Sequence, residues 1–301
     1  MSLANKQILS IGEVLWDLFP DGARFGGAPA NFACHAAALG ARVSMVSAVG
    51  DDARGMAALD MLQAYGIDTS LVQQIAGAPT GTVGVILNGS GKPTFEIHEG
   101  SAWDQLMWTV ELPTRIADAG AIYFGTLGQR GEVSRATIRK AMSAAKDHGI
   151  LRILDVNLRK PFYNPTLIRE SVAQAAILKF SDDEISQVAV ACGIANTGDP
   201  ETILRALLGR FKLELVVMTR GAEGCLVVSA NETIDQPGTP ATVRDTVCAG
   251  DCFTAVLVVG LLRGDSLNAI ARLACESAAA VCAQSGAVPE FLTSAKPVSR
   301  T

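Results

Sequence analysis

The chain has 301 residues, 49% of them hydrophobic and 18% charged, with a formal net charge of −5. That balance is ordinary for a soluble globular protein, and the lack of a Lys/Arg excess argues against nucleic acid as the main partner. The longest apolar run, Phe253 to Leu262, is shorter than the ~18 residues a membrane span requires, and the opening "MSLANKQILS" lacks the basic-then-apolar layout of a secretory signal; the expectation is a cytoplasmic protein built as one domain over 1–301.

Read in chain order, short β-branched runs alternate with longer helical patterns. Strands are predicted at 7–12, 43–50, 121–125, 151–157, 176–180, 213–220 and 225–228. Helices are predicted at about 29–39, 53–65, 132–148, 166–175, 182–191, 200–210, 249–262 and 266–284, with Gly40, Gly66 and Gly149 marking stops. Such repetition implies an α/β fold: a doubly wound, mostly parallel sheet with helices on both faces, binding ligands at the carboxyl ends of its strands. Residues 13–26 and about 72–99 break the alternation with short, turn-bounded strands and are assigned to a small β lid over one edge of the sheet. Exposed strand edges in such a layer invite pairing with a second copy, so a homodimer through the lid is one expectation.

Several familiar motifs are absent. "NGSGKP" (88–93) imitates a phosphate loop, but Pro93 occupies its Ser/Thr place and Ile86 its first glycine place. No G-x-G-x-x-G, G-x-S-x-G or C-x-x-C occurs, and the three histidines are scattered.

The informative stretch is "RDTVCAGDCFTAVLVVGLL" (244–262), where a polar opening runs into an apolar helix. A helix amino end carries unpaired N–H groups and the positive end of the dipole, and Ala249 and Gly250 leave space for an anion there. Asp251 beside a bound phosphate would repel it, which makes sense for a base that takes a proton from an attacking hydroxyl. The alternative is helix capping by Asp245, Thr246 or Asp251. At the other end, "RFGGAPANFACHAAALG" (24–40) places Gly26 and Gly27 where a ligand can approach backbone. Asn31 then follows in the helix, and Asp17 lies just after the first strand. Carboxylate plus amide suits a polyol; the bland alternative is a tight turn with close helix packing.

"GGAPAN" and "DTVCAGD" together resemble the two signatures of the ribokinase-like carbohydrate kinases, the PfkB family, over nearly the whole chain. "GEVLWDLFP" and "DVNLR" (155–159) resemble the fructokinase branch. The resemblance implies a ribokinase-like fold, ATP and Mg²⁺ as cofactors, and K⁺ as a further candidate through a carbonyl site that has no side-chain signature. It implies Asp251 as catalytic base, with the amides of Cys248, Ala249 and Gly250 as the anion hole. Cys248 replaces the usual glycine, which is harmful only if that position needs a positive φ, and it offers a target to thiol reagents. On the sugar side the resemblance implies Asp17, Gly26, Gly27 and Asn31. "FEIHEGSAWDQL" (95–106) continues toward the sugar, where Phe95 or Trp103 would cover an apolar sugar face or serve as lid core. Arg159 would face the phosphates. "TRGAEGC" (219–225) resembles the nucleotide turn, carrying over Thr219, Gly221 and Gly224, and "AAAVCAQSGA" (278–287) resembles the adenine region with Gly286. In "KFSDDE" (179–184) Glu184 would support Mg²⁺, while Ser181 stands in place of the family's asparagine.

The expected activity is transfer of the ATP γ-phosphate to a sugar hydroxyl, D-fructose giving fructose 6-phosphate. Another substrate of the same fold (2-keto-3-deoxygluconate, ribose or a nucleoside) is the second reading, and a catalytically silent sugar-binding protein is the third.

Overall fold

The computed structural model describes residues 6–87 and 93–284. The chain opens with β1 (Gln7–Ile11), β2 (Leu15–Phe19) and β3 (Gly22–Gly26), followed by α1 (Ala28–Ala38), β4 (Val43–Gly50) and α2 (Ala53–Ala64). Next come β5 (Val72–Ile75), β6 (Gly81–Leu87), β7 (Pro93–Ile97), α3 (Leu112–Ala117), β8 (Ala119–Gly125) and α4 (Glu132–Asp147). The remainder is β9 (Leu151–Asp155), α5 (Pro165–Gln174), β10 (Ile177–Ser181), α6 (Ile185–Ala191), α7 (Pro200–Phe211), β11 (Leu215–Thr219), β12 (Cys225–Ser229), β13 (Thr233–Gln236), α8 (Ala249–Arg263) and α9 (Leu267–Cys282).

Among the described residues a nine-stranded sheet runs in the order β13-β12-β11-β10-β9-β8-β1-β4-β5. It is parallel from β5 through β11, and β12 and β13 add an antiparallel edge. The central strands β4 and β8 are buried at every position, as strands covered on both faces must be. One face packs α3 to α7 through residues such as Ile116, Met142, Val172, Val188 and Leu204. The other packs α1, α2, α8 and α9 through Phe32, Leu62, Phe253, Val258 and Ile270. The fold is the doubly wound, mostly parallel α/β architecture the alternation predicted. The chain leaves β1 for β4 on one side and returns to β8 on the other, so the strand order reverses beside β1, where open α/β sheets place ligands.

The apolar run of 249–262 is explained by its position. α8 lies between α1 and α9 and is buried from Asp251 through Gly260, so it needs no polar face. None of the described helices is long and apolar enough to cross a membrane.

The lid is a four-stranded sheet in the order β3-β2-β6-β7. Its boundaries correct the expectation at one place: residues 72–75, assigned to the lid, are β5, which pairs parallel with β4 at the edge of the large sheet. "VQQI" reads as half-polar because an edge strand has one open side, not because it belongs to the lid. Two short elements were not anticipated: β13, a half-polar four-residue edge strand, and α3, a six-residue helix opened by Pro113. Residues 88–92 of the phosphate-loop imitation lie outside the described residues.

Candidate active site

A cleft of about 590 Å³ opens at the carboxyl ends of the central strands, beneath the lid. Its floor is the amino end of α8. Asp251, 9% exposed, is held by Asn31 of α1, whose Nδ2 donates to Asp251 Oδ2 at 3.0 Å across 220 residues of sequence. Asp17 on β2 faces the same cleft from the lid. Capping does not account for the α8 start: no side chain caps that helix, and Asp245 instead accepts from the Val247 N–H in the preceding loop at 3.0 Å. The Ala249 N–H makes only a long bond, 3.4 Å, to the Thr246 carbonyl.

A buried charge network underlies this turn. Lys179 Nζ lies 2.8 Å from Asp155 Oδ2 and 3.5 Å from the Gly250 carbonyl. The Thr254 hydroxyl bridges Asp155 at 3.0 Å and the same carbonyl at 2.8 Å. The pair is set by sheet register, because Lys179 and Asp155 are direct cross-strand partners on β10 and β9. Both line the cleft or its floor with Gly250, whose missing side chain matters: a Cβ there would sit 3.2 Å from Lys179 Nζ.

Electrostatics follow from burial. Burial pushes the Asp251 carboxyl up to about 6, helped by the Asp155 charge and opposed by Lys179, the Asn31 hydrogen bond and Arg159. Asp17 is pushed up to about 6 by burial against the pull of Arg159 and Arg24. Cys248 is raised well above the ordinary thiol range, by burial first and by the Asp251 charge second. Burial thus disfavours its thiolate, the form through which a cysteine reacts with thiol reagents.

Cys248 adopts φ 64°, ψ 3°, a left-handed conformation that glycine takes without strain. Its side chain gains burial but keeps that strain. Cys248→Ala removes the burial and leaves the strain; Cys248→Gly removes both. The glycine variant is expected to be the more stable of the two by roughly 0.5–1 kcal/mol, strain relief less the backbone entropy of glycine. Denaturant midpoints measured side by side check it, and the opposite order would discard strain at this position.

The lid forms the ceiling. Leu15, Asp17 and Phe19 alternate along β2 and point into the cleft with Val83 of β6 and Phe95 and Ile97 of β7. Of the two aromatic candidates, Phe95 is 50% exposed and lines the cleft, so it is not lid core. Trp103 is the correction: it is 1% exposed, lies outside the cleft lining, and packs beneath the Arg130 guanidinium at 4.0 Å. Gly26 is also reassigned, since it does not line the cleft and a Cβ there would come 2.6 Å from Asp17 Oδ2. It makes room for that carboxylate rather than for a ligand. Gly27 does line the cleft, at φ +104°, with a Cβ position 2.7 Å from the Glu13 carbonyl. Arg159 is exposed at the cleft.

The other predicted residues stand apart from this cleft. Thr219 ends β11, in register with Ser181 of β10. Gly221, at φ +52°, has open space where a side chain would project, so a ligand can meet its backbone. Gly224 serves packing: a Cβ would collide with the Gln236 carbonyl. Gly286 lies outside the described residues. Glu184 Oε1 accepts the Leu158 N–H at 2.5 Å and Oε2 the Ser181 N–H at 2.8 Å, and Ser181 caps the following turn in return. A serine there does the capping work an asparagine would do. Among the described residues no cluster of three or more His, Cys, Asp or Glu forms a ready metal site. A fixed single carboxylate of this kind fits Mg²⁺, which keeps most of its water and takes one or two carboxylates plus phosphate oxygens.

Three charged cleft residues were given no role in the sequence reading: Glu13, Asp155 and Lys179. A lysine inside "AILKF" and an aspartate ending "LRILD" are charges in strands otherwise built for a two-sided core, and that incongruity was the available signal.

A profile of the pfkB family carbohydrate kinases matches residues 21–293. Fructokinase-2 of Zea mays is 30% identical over 281 residues, covering 87% of this chain and 82% of the relative. Among solved structures, a sugar kinase from Pyrococcus horikoshii in complex with ATP superposes with a TM-score of 0.78 at 28% identity, covering 93% of each chain. A fructokinase from Vibrio cholerae O395 in its fructose, ADP and calcium ion bound form gives 0.77 at 25% identity, covering 94% of this chain and 95% of its own. With the two signatures meeting across one cleft, the chain belongs to the pfkB family of carbohydrate kinases, phosphotransferases whose acceptor is an alcohol.

Proposed function

We propose that this protein transfers the γ-phosphoryl group of ATP to the 6-hydroxyl of D-fructose. The observation that carries the reading is a buried carboxylate, Asp251, held by Asn31 at the amino end of α8 under a lid that presents Asp17 to the same cleft. Relatives that bind fructose or bear the fructokinase name support the choice of sugar. So does the charge of the lining, where Glu13, Asp17, Asp155, Asp245 and Asp251 face only Arg159 and Lys179, with Lys179 already paired. An uncharged polyol meets no repulsion there, whereas the carboxylate of 2-keto-3-deoxygluconate does.

In this mechanism Asp17 and Asn31 hold the sugar so that one hydroxyl faces Asp251, which accepts its proton as the phosphorus–oxygen bond forms. The N–H groups of Cys248, Ala249 and Gly250 stabilise charge on the migrating group, and the helix dipole adds to them. Lys179 holds a positive charge beside that turn, and Arg159 supplies another from the 156–164 loop. Thr219 and Gly221 receive the nucleotide at the end of β11, and Glu184 supports Mg²⁺. That ion, when bound, offsets phosphate charge. The outer strands of the lid, β3 and β7, are the edges through which a second copy would pair.

A coupled ADP-release assay with fructose, ribose, 2-keto-3-deoxygluconate and a nucleoside tests the proposal. Turnover highest on fructose is the expected result. Preference for another sugar replaces the substrate, and sugar binding without turnover returns the silent binding protein.

Because the base must be ionised, kcat/KM is expected to fall as pH drops through about 6, the value to which burial raises Asp251. Asp17, also raised to about 6 by burial, titrates in the same range and contributes to the acid limb. A profile flat from pH 8 down to 5 would remove an ionised carboxylate from the rate-determining chemistry.

A further inference from the structure

Asp52 precedes α2 and caps it, its Oδ1 accepting the Gly55 N–H at 2.7 Å. Capping does not exhaust this carboxylate. Thr80, 28 residues further on, donates its hydroxyl to Oδ1 at 2.7 Å and its N–H to Oδ2 at 2.8 Å. The same hydroxyl accepts the Gly50 N–H at 2.9 Å, which ties Thr80 to the end of β4 as well. Thr80 is buried, and the backbone around it is shaped for the contact. A Cβ on Gly50 would lie 2.6 Å from Asp52 Oδ2, and one on Gly55 would lie 2.9 Å from the Thr80 hydroxyl.

Thr80 is the residue from which the chain enters the lid. β6 begins at Gly81 and runs parallel to β2, with Leu15 opposite Gly81, Trp16 opposite Thr82 and Asp17 opposite Val83. Asp17 and Val83 both line the cleft. On the strand face opposite Asp17, Trp16 Nε1 donates to the Arg54 carbonyl at 3.0 Å, in the first turn of the same helix α2. Trp103 closes on the start of β6: a Cβ on Gly81 would lie 2.6 Å from Trp103 Nε1, and the neighbouring Ala102 N–H donates to the Pro79 carbonyl at 2.8 Å. The two central strands of the lid, one of them carrying Asp17, are therefore both tied to the amino end of α2, a helix that lines no part of the cleft.

We propose that Asp52 is a positioning residue for the sugar: by gripping Thr80 at both its N–H and its hydroxyl, it fixes where β6 begins, and through the β6–β2 register it sets where Asp17 stands over the cleft. The inference rests on the kinase reading above, which gives Asp17 the sugar. It assigns Asp52 no contact with sugar, nucleotide or metal. A cap for α2 needs one oxygen, and serine supplies that as well as aspartate does. Holding both polar groups of Thr80 takes the second oxygen and the longer reach of a carboxylate.

The test joins steady-state kinetics to a crystal structure. Asp52→Ser keeps a capping oxygen for α2 and loses the grip on Thr80. It is expected to lower kcat/KM for the sugar that turns over fastest roughly 10- to 100-fold, mainly through KM, with KM for ATP within about twofold, as for a displaced binding group. Thr80→Val is expected to move the same constant in the same direction, and Thr80→Ser, which keeps hydroxyl and N–H, to match the wild type. In an Asp17→Ala background, adding Asp52→Ser is expected to change kcat/KM for the sugar by less than about twofold, because the group it positions is already gone. An unchanged sugar KM in Asp52→Ser, losses that multiply in the double variant, or a Thr80→Ser loss as large as that of Thr80→Val would overturn the proposal. If Asp52→Ser does not fold, Thr80→Val takes its place in the same comparison. The structure of the variant is expected to show Asp17 displaced relative to Asp251 by more than about 1 Å, enough to disturb a bound substrate; an unmoved Asp17 rejects the idea. Should the wild type prove silent on every sugar, the kinase reading fails, while the crystallographic readout still decides the role of Asp52.

Discussion

Asp251→Asn is expected to lower kcat by about 10²–10⁴, the usual contribution of a general base, while sugar affinity stays close to that of the wild type. The substitution is nearly isosteric, and its amide oxygen can accept the same bond from Asn31 Nδ2 that Asp251 Oδ2 accepts at 3.0 Å. What disappears is the capacity to take a proton. The same change removes a charge that burial and Asp155 both disfavour. The variant is therefore expected to melt at or above the wild-type temperature, since a site tuned for chemistry gives up stability to hold its charge. Inactivity together with undiminished stability identifies a functional carboxylate. Calorimetry beside steady-state kinetics reads both, and wild-type turnover in the variant would end the role of Asp251 as base.

Lys179→Met carries the largest expected effect on folding. Lys179 and Asp155 are 5% and 2% exposed and paired at 2.8 Å. Removing the ammonium leaves Asp155 buried with only the Thr254 hydroxyl beside it. Breaking a buried pair in this way costs about 3–5 kcal/mol, most of it the price of an uncompensated charge. The double variant Lys179→Met/Asp155→Asn removes both charges and is expected to recover most of that loss. Activity is expected to stay low in both, because the positive charge beside Gly250 is gone in both. In the single variant the acid limb of kcat/KM should also move to higher pH, since Lys179 is the first of the influences that hold the Asp251 carboxyl down. Urea denaturation of the four proteins of the cycle measures the coupling; a single variant as stable as the wild type would show that the pair contributes nothing to folding.

These two residues also show how unevenly a sequence displays its site. Asp251 was legible because the reason for its neighbours is local: small residues at a helix start, where free N–H groups must exist whatever the fold does. Lys179 was not, because its meaning depends on Asp155, 24 residues away, and on the register that sets β10 against β9. The aromatics of 95–106 divide in the same way. Phe95 and Trp103 are equally apolar, yet one faces the cleft at the lid edge and the other is sealed under Arg130. Gly26 and Gly224 read as places for a ligand to approach backbone, but their space is filled by Asp17 and by the Gln236 carbonyl. Glycine declares only that something comes close, not what.

From the amino-acid order alone came the alternation of strands and helices, the two-sided burial of the sheet, and the anion-ready start of α8. Each follows from periodicity and backbone chemistry within a dozen residues. Only the tertiary structure brought Asn31 against Asp251 across the chain, placed β5 in the large sheet, packed the Glu13 carbonyl against Gly27, and gave Cys248 its left-handed backbone. Those outcomes depend on sheet order and on which segments close over the ends of the strands. Non-local packing decides both, and no short stretch of the chain encodes it.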